Sequence, residues 1–452
     1  MAVEPTRTGD KEPLEVGGVA VTAMSVAAET AEDATSASEA AVLSSEAVAG
    51  TLGEYLAAWW RRVRSGESGV LPVVGALVAI VVIFQAQNSL FLSGPNLVNL
   101  LQQGVVIVMF GMAEVFVLLL GEIDLSVVYE AGIGAGIMAA LVASPANLPW
   151  WVAILAGLAA TALAGLIQGV LITRLGLPSF IVTLGGYIGF EGLMLWMFDH
   201  MSIAVGGVIE VSNHIMLDLV AGAISPVASW VLMIALVVVF GTYLVVRDMR
   251  RRASGLVTPP FGLTVIKIAF TAAAGVLVVL VSDVNRGVKG GARVEGVPWA
   301  VPIVLAILAL ATFLLGRTRF GRYIYAVGGN AEAARRAGVN LYRIRTIAFA
   351  LSGLMAGFAG LMYLSLLGSI ATDIDPDYVL YAVAAAVIGG TSLFGGRGKA
   401  VHALLGALVI AAIANGLGLL GMGAAATDMV TALVLIAAIT VDSVARRGER
   451  AR

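Results

Sequence analysis

The sequence predicts an all-α, polytopic integral membrane protein with about twelve transmembrane helices, ten at the fewest, and both termini cytoplasmic. Three observations predict it. The first is composition: 59% of the 452 residues are hydrophobic and only 12% are charged, against about a quarter charged in soluble domains, and the mean hydropathy is +0.96. The second is the recurrence of apolar runs close to the ~20 residues that cross a hydrocarbon core. The third is the distribution of basic residues. With a cytoplasmic N-terminus and an even number of spans, all of the 27 Lys and Arg except Arg286, Lys289 and Arg293 fall inside or at an inner helix end.

In chain order, residues 1–66 read as a disordered cytoplasmic tail of Ala, Ser, Thr, Glu and Val. Acidic residues precede the run VGGVAVTAMSVAA, and no clean cleavage pattern follows it, so it does not read as a signal peptide. The tail closes on LAAWWRRV (Leu56 to Val63), where Trp59 and Trp60 beside arginines suit a short interfacial helix. Residues 67–446 form the membrane domain. Its spans fall near 70–87, 101–120, 130–144, 148–171, 178–198, 226–246, 261–282, 299–316, 346–367, 378–393, 401–421 and 427–445. Residues 447–452 are a cytoplasmic tail. Lipid is the expected surrounding, and no nucleic-acid partner is expected.

The loop 317–345 interrupts this apolar pattern with a short, charged, alanine-rich helix. Asn330, after Gly329, is an N-cap; Glu332 lies in the first turn, Arg335 and Arg336 in the last, and Gly338 suits the C-terminal cap. Glu332 and Arg336 share one face, and Ala333, Ala334 and Ala337 form a small-residue stripe on another. So short a helix is marginal alone in water, so it must pack on something. It is either a turn lying on its own protein or a docking helix for a cytoplasmic partner.

Other polar positions are fewer. Glu114, Glu122, Asp124, Glu130 and Glu191 lie in or beside spans, where an unpaired charge is expensive. Glu122, Asp124 and Ser126 are candidates for the translocation path, with helix-end hydrogen bonding as the alternative. ATDIDPDY (Ala371 to Tyr378) lacks the Gly and the Glu that a calcium loop needs at its sixth and twelfth positions. His200, His214 and His402 share no ligand spacing, and the absence of Cys excludes thiolate sites and disulfides. Gly353, Gly357 and Gly360 in SGLMAGFAG read as close-packing positions on one helix face.

Several motifs occur in order: GEIDLS (Gly121 to Ser126), GLPSFIVTLGG (Gly176 to Gly186), FGRYIYAVGGNAEAARRAGV (Phe320 to Val339), VIGGTSLFGG (Val387 to Gly396) and NGL (Asn415 to Leu417). Together they resemble ABC-importer permeases of the ribose and xylose type, and the insertion between Arg247 and Trp299 is similar to the xylose branch. The chain departs from that pattern at Val128, Tyr129 and Glu130, and again at Val379 and Tyr381. The resemblance implies that Gly329 to Gly338 is the coupling helix of a permease and that Asn415, with Glu122, Asp124 and Ser126, belongs either to the translocation path or to a structural motif. It also implies a cytoplasmic ATP-binding-cassette ATPase subunit, an extracytoplasmic sugar-binding protein and a second permease chain, most simply a homodimer. The cargo it implies is a monosaccharide, a pentose such as xylose.

Energy is expected from elsewhere. No phosphate loop is present; GGRGKA (Gly395 to Ala400) lacks the first Gly at the needed spacing and ends in Ala, so it reads as a tight inner loop. No cofactor is expected in this chain, ATP and Mg belonging to the ATPase, and no catalytic or metal site is expected. An ion-coupled secondary transporter of a small polar solute would share this hydropathy, but it should carry an ion site near the midplane, often within inverted repeats.

Overall fold

The computed structural model describes residues 51–64, 71–256, 258–287, 293–434, 436 and 440. The expectations for the N-terminal tail, the end of the last span and the C-terminal tail lie outside the described residues. The chain divides into two compact units, one of residues 68–241 and 268–443, the other of 1–67, 242–267 and 444–452.

Helix α1 (Leu52–Arg64) contains the expected interfacial segment. Then follow α2 (Leu71–Gln87), α3 (Gly94–Leu118), α4 (Val127–Val142), α5 (Trp150–Leu175) and α6 (Ser179–Asp199). A strand β1 (Val208–Glu210) and a single turn α7 (His214–Asp218) precede the long helices α8 (Pro226–Ala253) and α9 (Phe261–Ser282). Next come α10 (Ala300–Arg317), α11 (Arg319–Gly329), α12 (Ala331–Arg336) and α13 (Leu341–Leu367). The chain continues through β2 (Ser369–Ala371), α14 (Asp377–Ile388), α15 (Ala400–Leu419) and α16 (Ala424–Val434).

Among the described residues, eight helices are long and apolar enough to cross a membrane: α3, α5, α6, α8, α9, α10, α13 and α15. Helices α2, α4, α14 and α16 are apolar but shorter. The runs expected at 130–144 and 378–393 correspond to α4 and α14, and each meets a buried, non-helical polar segment. Asp124 and Ser126 precede α4, and Thr391 and Ser392 follow α14, all inside the protein. Irregular backbone is tolerated there because protein, and not lipid, surrounds it. Helix α3 starts seven residues before the expected 101, since Pro95 occupies its first turn and its polar residues have partners. Asn96 bonds Asn415, and Gln102 donates to the Val220 carbonyl at 2.7 Å.

The fold is all-α apart from one short ribbon. Strands β1 and β2 pair antiparallel, with Ile209 opposite Ile370. Three-residue strands leave too short a pattern for sequence to reveal.

The centre of the larger unit is α13, which packs on α3, α4 and α5, with α14 and α15 closing on α3. The glycine reading holds. A Cβ at Gly353 would strike the Thr161 carbonyl and the Gly165 amide of α5, and one at Gly360 the Ala131 carbonyl of α4. These helices touch backbone to backbone. In the smaller unit, Asp248 accepts from Arg247 at 2.8 Å and from Thr264 at 2.6 Å, which ties the facing ends of α8 and α9 together.

Candidate functional site

The segment from α10 to α13 is held by a series of local caps. Thr318 accepts from the Gly321 amide at 3.1 Å, Asn330 from the Ala333 amide at 2.9 Å, and Asn340 from the Arg343 amide at 3.0 Å. Helix α12 ends as expected: Gly338 has φ +83°, its amide reaches the Arg335 carbonyl, and the Val339 amide reaches that of Ala334, both at 3.0 Å. On the outer side, Glu332 accepts from Arg335 at 3.0 Å and from Arg336 at 3.1 Å. These hydrogen bonds hold its carboxyl below the ordinary glutamate value. Their small contribution is present above the ordinary value and is lost as pH falls through the lowered one.

Gly329, Asn330, Glu332, Ala333, Arg335, Arg336 and Gly338 are exposed. Ala334 is not: it is 5% exposed and belongs to the main hydrophobic core. The alanine stripe therefore divides, with Ala334 seating the helix on its own protein and Ala333 and Ala337 facing outward. Ala334 is thus removed from the expected docking residues. One side of so short a helix is thus seated on its own protein and the opposite side is left exposed.

The inner end of α11 abuts two other loops. Gly328 lies against the Leu119 carbonyl and the Gly396 amide, so closely that a Cβ would overlap the former. The Gly396 amide itself donates to the Leu119 carbonyl at 2.9 Å, and the Tyr325 hydroxyl donates to the Gly398 carbonyl at 2.8 Å. Three segments well separated in the chain thus meet by backbone: the end of α3, the end of α11 and the loop after α14. Gly328→Val is expected to force them apart, at about 1–3 kcal/mol from overpacking. The thermal midpoint of the purified protein checks this, and a wild-type midpoint would refute it.

From this junction GEIDLS leads into the core. Glu122 pairs with Arg345 of α13 at 3.5 Å. Asp124 accepts from the Ser126 hydroxyl at 2.6 Å, from the Ser126 amide at 3.1 Å and from Ser352 of α13 at 2.9 Å. Gln168 of α5 donates to Ser126 at 2.9 Å and also to Glu130. Glu114, Asp124, Ser126 and Glu130 are wholly buried. The arrangement fastens the loop to α13 and α5 through hydrogen bonds that cost no exposure to lipid. Sequence reading missed Gln168, Arg345 and Ser352; the available signal was a polar side chain within an otherwise apolar helix.

Asn415 is elsewhere. It exchanges two hydrogen bonds with Asn96, at 2.8 and 3.0 Å, in a buried pair that joins α15 to α3. The pair lies apart from the GEIDLS cluster. Among the described residues, no group of three or more His, Cys, Asp or Glu is arranged to hold a metal ion.

The chain is 31% identical over 379 residues to the xylose transport system permease protein XylH of Escherichia coli (strain K12), covering 84% of this chain and 92% of that protein. It is 31% identical over 384 residues to the XylH of Haemophilus influenzae, covering 82% and 96%. The ribose import permease protein RbsC of Escherichia coli (strain K12) is 42% identical over 154 residues, 34% of this chain and 48% of that protein. No solved structure matches the chain. The resemblance to ribose- and xylose-type permeases holds over most of its length. With residues 96–439 also matching the family described as branched-chain amino acid transport system / permease component, the chain belongs to that family of multi-pass plasma-membrane permeases.

Proposed function

We propose that this chain is the membrane subunit of an ABC importer for a monosaccharide, a pentose such as xylose. It works beside a second copy of itself, with a cytoplasmic ATPase and an extracytoplasmic sugar-binding protein. The observation that carries this reading is the 31% identity to the xylose permease over 92% of that protein's length. The termini and the coupling segment face the cytoplasm, in keeping with the distribution of basic residues.

In this mechanism ATP and Mg are bound by the partner ATPase, and this chain receives a displacement at α12. The rigid caps make α11 and α12 move as one piece, and the Gly328 contact passes that movement to Leu119 and so to GEIDLS. Through Asp124 and Ser352 the loop moves with α13.

The docking face is that of Ala333, Arg335, Arg336 and Ala337, which is exposed. Ala333→Trp is expected to leave insertion unchanged and to abolish both co-purification with the ATPase and xylose uptake by steric bulk. Normal ATPase binding in this variant would overturn the docking face. For the function as a whole, the test is ATP hydrolysis by the reconstituted complex, expected to rise when the binding protein is loaded with xylose. Xylose transport by the purified chain alone, driven by an ion gradient, would favour a secondary transporter.

A further inference from the structure

The end of the α8–α9 hairpin, residues 242–267, belongs to the smaller compact unit. It carries Arg247, Arg250, Arg251, Arg252 and Lys267 against one acid, Asp248. Asp248 is already satisfied: Arg247 donates to one oxygen from Nε at 2.9 Å and from Nη2 at 2.8 Å, and Thr264 to the other at 2.6 Å. Arg252 serves the turn between the helices. It donates from Nε to the Thr258 hydroxyl at 3.1 Å and from Nη2 to the Pro259 carbonyl at 3.2 Å, and it lies 5.9 Å from the centre of the Phe261 ring. Arg250 and Arg251 do neither. Both are exposed, and among the described residues neither guanidinium has a hydrogen bond or an ion pair. Orientation in the membrane depends only on the count of basic residues at such an end; that two arginines are tied and two are unpaired is a property of the fold.

The surface around the unpaired arginines is apolar. Met249 is 63% exposed, Leu256 57% and Phe261 51%. The same compact unit contains α1, where Leu56 and Trp60 lie four apart on one exposed face beside exposed Arg61. Both features suit the boundary of a bilayer, with apolar side chains against acyl chains and guanidinium groups among the headgroups. A small free anion matches the arginines alone, whereas a phospholipid matches the arginines and the apolar collar together.

We infer that Arg250 and Arg251 hold the phosphate of an anionic phospholipid, whose chains lie along the exposed apolar side chains beside them. Guanidinium forks pair bidentately with phosphate oxygens. Five basic side chains less one acidic leave this end at +4, which favours an anionic headgroup over a zwitterionic one. The site does not depend on which cargo the permease carries.

The chain contains no Cys, so a bimane on Leu256→Cys reports on this end alone. In vesicles of equal parts phosphatidylcholine and phosphatidylglycerol, doxyl-labelled phosphatidylglycerol is expected to quench it more than doxyl-labelled phosphatidylcholine. This preference is expected to fall about fivefold for each of Arg250→Gln and Arg251→Gln, while Arg250→Lys with Arg251→Lys keeps most of it. Exchanging chloride for inorganic phosphate at constant ionic strength is expected to change nothing. Equal quenching by the two lipids in the parent, or an undiminished preference when both arginines are glutamine, would overturn the site. Loss of the preference in phosphate would assign the arginines to a free anion. A double glutamine variant that keeps the lipid preference and no longer co-purifies with the ATPase would make them a protein contact instead.

Discussion

Asp124→Leu is expected to depress the thermal midpoint of the purified permease strongly and to reduce the folded protein in the membrane. Leucine matches aspartate roughly in size, so the loss is one of hydrogen bonds. Asp124 is wholly buried and accepts from the Ser126 amide, the Ser126 hydroxyl and the Ser352 hydroxyl. Removing the acceptor leaves these donors buried, at about 1–3 kcal/mol for each one left unsatisfied. The Ser126 hydroxyl can turn toward Gln168 or Glu130, both within 3.3 Å, so the expected total is about 3 kcal/mol. Asp124→Asn keeps one carbonyl acceptor and is expected to lose less. Equal midpoints for Asp124→Leu and the wild type, followed by tryptophan fluorescence on heating, would mean that the network contributes nothing.

Gly353→Val is expected to be at least as damaging. The new side chain would meet the Thr161 carbonyl and the Gly165 amide, and backbone cannot rotate aside as a flexible side chain does. Helices α5 and α13 must therefore separate, losing the contacts on which α13 organises α3, α4 and α5. Overpacking of this kind costs about 1–3 kcal/mol and occasionally more. Gly75→Val on α2, where a Cβ meets nothing within 4 Å, is the matched control and should insert and unfold like the wild type. If both variants behave alike, the close approach of α5 and α13 is not required for stability.

Much of this architecture was legible without coordinates. The apolar runs could be located because crossing a hydrocarbon core is a demand on one local window of about 20 residues. The ends of α12 could be read because capping is local too: Asn330 and Gly338 act on groups within a few residues of themselves. The face of Gly353, Gly357 and Gly360 followed from helical spacing alone. Only tertiary structure decided which way Ala334 points, since a six-residue helix has no pattern long enough to mark its buried side. It also decided the partners of the buried polar residues. Asp124 meets Ser352 and Asn96 meets Asn415 across 228 and 319 positions of chain. Hydropathy records that such groups are polar, but their pairing depends on which helices touch, and that is set by backbone contacts such as Gly353 on Thr161.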